Sequence, residues 1–195
     1  MNRRALSALA ISVGVCLSAM VTVACGSGGS ASFGSAAPDP QATVHRYPKQ
    51  GFSIAYGPGW QATRQSVPVA IAGSSSSGSG WRLILSEQAD TGGSAMLTVT
   101  VVPEAHDVDA REFQTQAKQT MGTLGAHVET ITVNGTPAVM TSSKGPFGSE
   151  TITLASGRRA YILGGQGPTA EWDEVGPKML AIMQTFKLLP TSPAE

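Results

Sequence analysis

Asn134-Gly135 stands between two stretches that alternate apolar with polar residues, Val128 to Val133 and Thr136 to Thr141. Both residues of this dipeptide tolerate positive φ, as the tight reversal of a type I′ turn demands, so the chain must contain an antiparallel hairpin there. Ser156-Gly157 marks a second hairpin in the same way, between Glu150 to Leu154 and Arg159 to Leu163. Phe52, Ile54 and Tyr56 alternate with small or polar residues and run into Gly57-Pro58-Gly59, a strand followed by a turn. Trp81 to Leu85 and Met96 to Val102 read as two more strands, separated by a punctuating TGGS from Thr91. The segment after Trp60 is poorly patterned, and Ser74 to Gly80 reads as a mobile loop.

Two helices complete the set. Ala110, Phe113, Ala117, Met121 and Leu124 recur at spacings of three or four, with Arg111, Gln114, Lys118 and Gln119 on the other faces. Asp109 is a suitable N-cap, Glu112 is placed to close a capping box, and Gly125 stops the helix. Near the C-terminus Trp172, Val175, Met179, Ile182, Met183 and Phe186 share a face, and Pro177 predicts a loosened first turn with the regular helix starting near that proline. Strands joined mostly by hairpins, with few helices, predict an α+β domain: a central antiparallel sheet flanked by helices.

The N-terminus is of a different kind. Arg3 and Arg4 precede a run of 20 residues, Ala5 to Ala24, without a charge. The run ends in Val21-Thr22-Val23-Ala24-Cys25-Gly26, a small residue directly before a cysteine. A thiol is the best nucleophile on an ordinary chain to accept a lipid, and a signal peptidase needs a small residue before it. The expected division is therefore a lipoprotein signal peptide at 1–24, a lipidated Cys25 (S-diacylglycerol and N-acylated) heading a Gly/Ser/Pro linker to residue 43, a domain over 44–189 and a tail at 190–195. Thr22 stands where Leu, Val or Ile is usual; plain cleavage and an uncleaved anchor are the competing readings. Arg3-Arg4 lacks the flanking residues of a twin-arginine signal. The 18 linker residues would span roughly 20–25 Å, enough to hold a domain just off a bilayer.

Losing residues 1–24 removes Cys16 and both arginines. Cys25 is then the only thiol, which excludes a disulfide framework, a Cys-ligated metal and a catalytic cysteine from the domain. Of 13 basic side chains 11 remain against 13 acidic ones, a net charge of −2. That balance argues against a nucleic-acid partner and leaves membrane attachment to the acyl chains.

The opening Gly51-Phe52-Ser53-Ile54-Ala55-Tyr56-Gly57-Pro58-Gly59-Trp60 resembles the signature of the PsbP-like fold, and Met179 to Leu188 (MLAIMQTFKL) resembles its closing helix. With a Gly/Ser linker behind a lipobox, the layout is most similar to actinobacterial LpqN/LpqT-type lipoproteins. The resemblance covers residues 46 to 189, and Gly57 departs from a usual proline. It implies an α/β/α sandwich and no enzyme activity, since members act mostly as binding or assembly modules.

The search for chemistry gives few candidates. Glu104, His106, Asp107 and Asp109 are the densest set of metal-ligand types, but two of them suit a helix start, so no metal and no cofactor are expected. No serine sits in a G-x-S-x-G elbow. Gly164-Gly165-Gln166-Gly167 lacks phosphate-loop spacing. Trp60, Trp81 and Trp172 read as core, with any exposed one a candidate anchor for a partner. Arg158-Arg159 reads as a solvated hairpin tip. The expectation is a non-catalytic module on the extracytoplasmic face of the cell membrane, held by its lipid anchor and contacting an envelope protein. The alternative is a carrier or sensor of a small apolar or envelope-derived ligand.

Overall fold

The computed structural model describes residues 37, 39–70, 77–88, 94–123, 127–144 and 147–190. The expected signal peptide, Cys25, most of the linker, Leu124 and Gly125 lie outside the described residues. In chain order the elements are β1 (Thr43–Tyr47), a 3-10 turn (Pro48–Gln50), β2 (Phe52–Tyr56), β3 (Trp60–Ala70), β4 (Ser77–Gln88), β5 (Ser94–Val108), α1 (Ala110–Thr123), β6 (His127–Val133) and β7 (Thr136–Lys144). They continue with β8 (Phe147–Pro168), a second 3-10 turn (Thr169–Glu171), α2 (Trp172–Gln184) and β9 (Lys187–Leu188). The fold is mostly antiparallel sheet with two helices. The large sheet has the order β3-β4-β5-β8-β7-β6, and β1-β2-β9 form a small one.

β8 is not one straight strand. A Cβ on Gly164 would lie 3.9 Å from Thr151 Oγ1, although 13 residues of extended chain span roughly 40 Å. Gly148 and Gly167 likewise both meet the Trp172 indole. The segment therefore folds back at its exposed tip, Ser156 to Arg158, with an N-terminal arm paired to β7 and a C-terminal arm paired to β5. This is the second hairpin that the sequence predicts, with a different turn. At the first turn Asn134 (φ 48°) and Gly135 (φ 86°) both take positive φ, as type I′ requires; at the second Gly157 alone does (φ 57°), the pattern of type II′ with glycine leading.

The arms' alternation sorts side chains to two faces. Ile152, Leu154, Tyr161 and Leu163 join Leu83, Leu85, Leu97 and Val99 beneath α2 and the small sheet, forming the main core with Phe52, Ile54, Met179, Leu180, Met183 and Phe186. On the opposite face Ala155, Ala160 and Val139 receive Phe113 and Ala117 of α1. Gln114 secures α1 by donating to the Ala138 carbonyl at 2.7 Å. Asp109 caps it as expected: its Oδ1 accepts from the N–H groups of Arg111 (3.0 Å) and Glu112 (2.9 Å), a cap worth about 1 kcal/mol. The Glu112 carboxylate accepts from Gln116 Nε2.

Three local expectations change. The stretch after Trp60 is an 11-residue strand, β3, and Ser77 to Gly80 of the expected loop pair with Val67 to Ala70; residues 71–76 lie outside the described set. β3 sits at the sheet's edge and is exposed at most positions, so no apolar alternation announces it, and pairing overrides weak propensity. α2 begins at Trp172 with Pro177 inside it. Burial of Val175 and the seating of Trp172 on the sheet impose the helical first turn. Asp173, whose carbonyl the proline leaves without a helical donor, is exposed to water. Lastly β1 and β9, with no readable pattern of their own, flank β2.

Candidate functional site

The described residue with the most unusual environment is Glu150, which the sequence pattern marks only as the first residue of a strand. It follows Gly148 and precedes Ile152 on the core-facing side of β8. Ser142 is its neighbour on β7, and the fold-back that sets Thr151 beside Gly164 sets Glu150 beside Gly165. The side chain is 6% exposed, and its Oε2 has no hydrogen-bond partner. Burial pushes the carboxyl up to about 7, because a lone negative charge is costly where water is excluded.

The surroundings follow from the glycines. A Cβ at Gly165 would sit 2.7 Å from Met179 Sδ and 3.0 Å from Met183 Cε. One at Gly148 would overlap Trp172 Cγ and Cδ2, and one at Gly167 would touch Val175, Trp172 and Met179. Gly148, Gly165 and Gly167 are thus a landing strip for α2: missing side chains let the helix come down onto the sheet. Glu150 is buried on the same face of β8 as Gly148 and Gly165, both of which meet residues of α2. The signal for it in the sequence was parity, since Glu150 alternates with Ile152 and Leu154, so a buried sheet face must bury the acid as well.

The sign of the pH effect follows directly. The folded-state carboxyl titrates above its ordinary value of 4.5, so the folded state holds the proton more tightly than the unfolded chain. The contribution of this group to stability is fullest below about pH 4.5 and is lost as the pH rises towards about 7. Glu150→Gln is expected to raise the melting temperature at pH 8 and to leave it nearly unchanged at pH 5. Equal shifts at both pH values in scanning calorimetry would contradict this.

The other candidates have structural occupations. Of the four clustered residues of metal-ligand type, Asp109 caps α1, Asp107 is exposed, and Glu104 is buried with its carboxyl pushed up by that burial. His106 lies on β5, and no group of three or more His, Cys, Asp or Glu among the described residues could hold a metal. His45 stacks on Tyr56 at 3.9 Å, and Tyr47 and Tyr56 share a hydroxyl hydrogen bond of 3.2 Å. His127 is exposed on β6. Trp60, Trp81 and Trp172 are half-buried and pack on the core. Arg158 is exposed at the tip as expected, whereas Arg159 reaches back and donates to the Lys49 carbonyl at 3.1 Å.

No family model matches this chain, and no curated protein matches it. Solved structures similar to it include the following two. One is a crystal structure of a Bacteroides thetaiotaomicron protein, 8% identical, covering 76% of this chain at a TM-score of 0.48; this chain spans about half of that one (48%). The other is the solution structure of cyanobacterial PsbP (CyanoP) from Synechocystis, 10% identical, covering 85% of this chain and 98% of that one at a TM-score of 0.45.

Proposed function

We propose that this protein is a lipid-anchored, non-catalytic binding or assembly module of the cell envelope, PsbP-like in fold and closest in layout to LpqN/LpqT-type lipoproteins. The observation that carries this reading is the Val23-Ala24-Cys25-Gly26 junction at the end of an uncharged run, followed by a Gly/Ser/Pro spacer. Two acyl chains bury enough methylene groups for stable membrane attachment. The attachment does not need a spanning helix, and no helix among the described residues is long and apolar enough to cross a membrane.

The domain supports a binding role through its outer surface. Asp109 caps a helix, His45 stacks on Tyr56 and Arg159 ties the turn at Lys49. Val44 and Phe147, 61% and 64% exposed, present apolar area to water and are the first choice for partner contacts. A carrier of small apolar molecules would need room between sheet and helix, and at Gly148, Gly165 and Gly167 that space is filled by Trp172, Met179 and Met183. The PsbP-like assignment is supported by the structural use made of the Gly51–Trp60 stretch. Gly51 takes φ 77° at the turn, and Phe52, Ile54 and Tyr56 are buried along β2.

Cys25→Ser is expected to move the protein from the membrane to the soluble fraction and to remove a diacylglycerol-sized increment from its intact mass. Unchanged fractionation and mass would end the lipoprotein reading. The module reading is tested separately by affinity purification of the native protein, with Val44→Ser/Phe147→Ser as control. A specific envelope protein retained by the native chain and lost with the control is expected; recovery of none, or of the same set with both, would refute it.

A further inference from the structure

We propose that Asn134 is a site of spontaneous deamidation, and that losing its amide unties the β6–β7 turn from the segment that closes the fold behind α2. The proposal depends neither on lipidation nor on the identity of any partner.

The hairpin tip supplies the reactive pair. The chain has two asparagines, Asn2 and Asn134, and only Asn134 is followed by glycine. Asn134 and Gly135 are both exposed, and a Cβ on Gly135 would meet nothing within 4 Å, so the nitrogen beside it can be approached. That nitrogen attacks Asn134 Cγ. The side-chain nitrogen takes up the Gly135 amide proton and leaves as ammonia, and a succinimide ring closes. Water then adds to one of the two ring carbonyls. Opening gives aspartate or, with the main chain now running through Cγ, isoaspartate. One water is consumed and one ammonia released, with no oxidant, reductant or enzyme required.

The amide that is lost helps to anchor the C-terminal end of α2. There Thr185 Oγ1 accepts from the Ala55 N–H at 2.7 Å, the Phe186 side chain is fully buried, and β9 pairs with β2. From the hairpin tip Asn134 Nδ2 reaches the same segment, donating to the Phe186 carbonyl and, at 3.4 Å, to that of Gln184. An amide nitrogen brings two N–H donors, whereas an ionised carboxylate only accepts. Aspartate ionises at about pH 4, so at neutral pH the product turns a negative oxygen towards two carbonyl oxygens. The tie is lost and repulsion replaces it. Isoaspartate also adds a backbone atom to a two-residue turn whose positive φ at Asn134 (48°) and Gly135 (86°) fits type I′. Ring closure requires the amide to release the Phe186 carbonyl first, so the fold slows the reaction relative to a free peptide.

The test has two readouts. The full native chain is held at pH 8 and 37 °C, and the tryptic peptide 119–144 is then separated into asparagine, aspartate and isoaspartate forms. Conversion of Asn134 is expected to be several-fold slower than in the same peptide free in solution, with isoaspartate the larger product. The Asn134→Asp chain reads the consequence. Amide hydrogen exchange over residues 184–189 at pH 7 should rise roughly five- to tenfold over the native chain, the effect of leaving one hydrogen-bonded carbonyl without its donor. Protection over 110–123 should stay constant. Asn134→Gly accepts the positive φ of the turn and carries no amide; it should raise the exchange too, and serves if the aspartate variant does not fold. An Asn134 still intact once the free peptide has converted would overturn the proposal. So would exchange over 184–189 that matches the native chain in both variants.

Discussion

Replacing Phe52 with alanine is expected to cost about 3–5 kcal/mol of folding stability, the range for removing a fully enclosed phenylalanine. Its ring is wholly buried and lies 4.9 Å from Tyr47, 5.2 Å from Phe186, 5.9 Å from Trp81 and 6.2 Å from Tyr161, centre to centre. Those partners come from β1, β4, β8 and the segment after α2, so one side chain ties the small sheet to the large one and both to the helix's anchored end. Little can collapse into the gap, because the surrounding rings are stiff and the two tyrosines are hydrogen-bonded, Tyr47 to Tyr56 at 3.2 Å and Tyr161 to the Gln50 carbonyl at 3.1 Å. Urea denaturation should show a lower midpoint at unchanged slope. A loss below about 1 kcal/mol would mean that the two sheets are held together by something else.

The second large effect is expected at a residue without a side chain. Gly148→Ala puts a methyl group inside the Trp172 indole, a rigid ring that cannot yield as a methionine can, so a loss of at least about 1–3 kcal/mol is expected from overpacking. The diagnostic result is the double variant. Trp172→Leu alone should destabilise by loss of buried area, and with it in place the alanine should cost far less. Additive costs in the double-mutant cycle would show that the two residues do not meet. Gly165→Ala should be milder than Gly148→Ala, because Met179 Sδ and Met183 Cε lie in flexible side chains.

Much of this architecture was readable wherever a local rule coincided with the final environment. Asn134-Gly135 specified its turn because both residues accept positive φ, and α1 was visible because one stripe of it packs while the rest faces water. Pro177 misled because local chemistry favours a helix start there, while burial of Val175 and the seating of Trp172 enforce helix five residues earlier. Ser77 to Gly80 read as loop because small polar residues carry no pattern, yet β3 gives them a complete ladder of partners. The candidate site was the least legible part. A glutamate is ordinarily a surface residue, and only the alternation with Ile152 and Leu154 hinted otherwise. That α2 would come down on the same face of β8 depended on contacts between Gly148, Gly165, Gly167 and a helix distant from it in sequence.

The edge position of β3 has a further consequence for life at high local density. Among the described residues no strand pairs with the outer side of β3, so this 11-residue edge is a template on which a neighbouring copy could add its own strand. Under the proposed lipid anchor, copies on one surface would meet each other far more often than the same molecules in solution. Pro68 interrupts that template, since it has no N–H to offer, and the exposed Arg64 sets a positive charge on the same strand. Two plain residues of a poorly patterned segment thus make that edge a poorer template for a second copy.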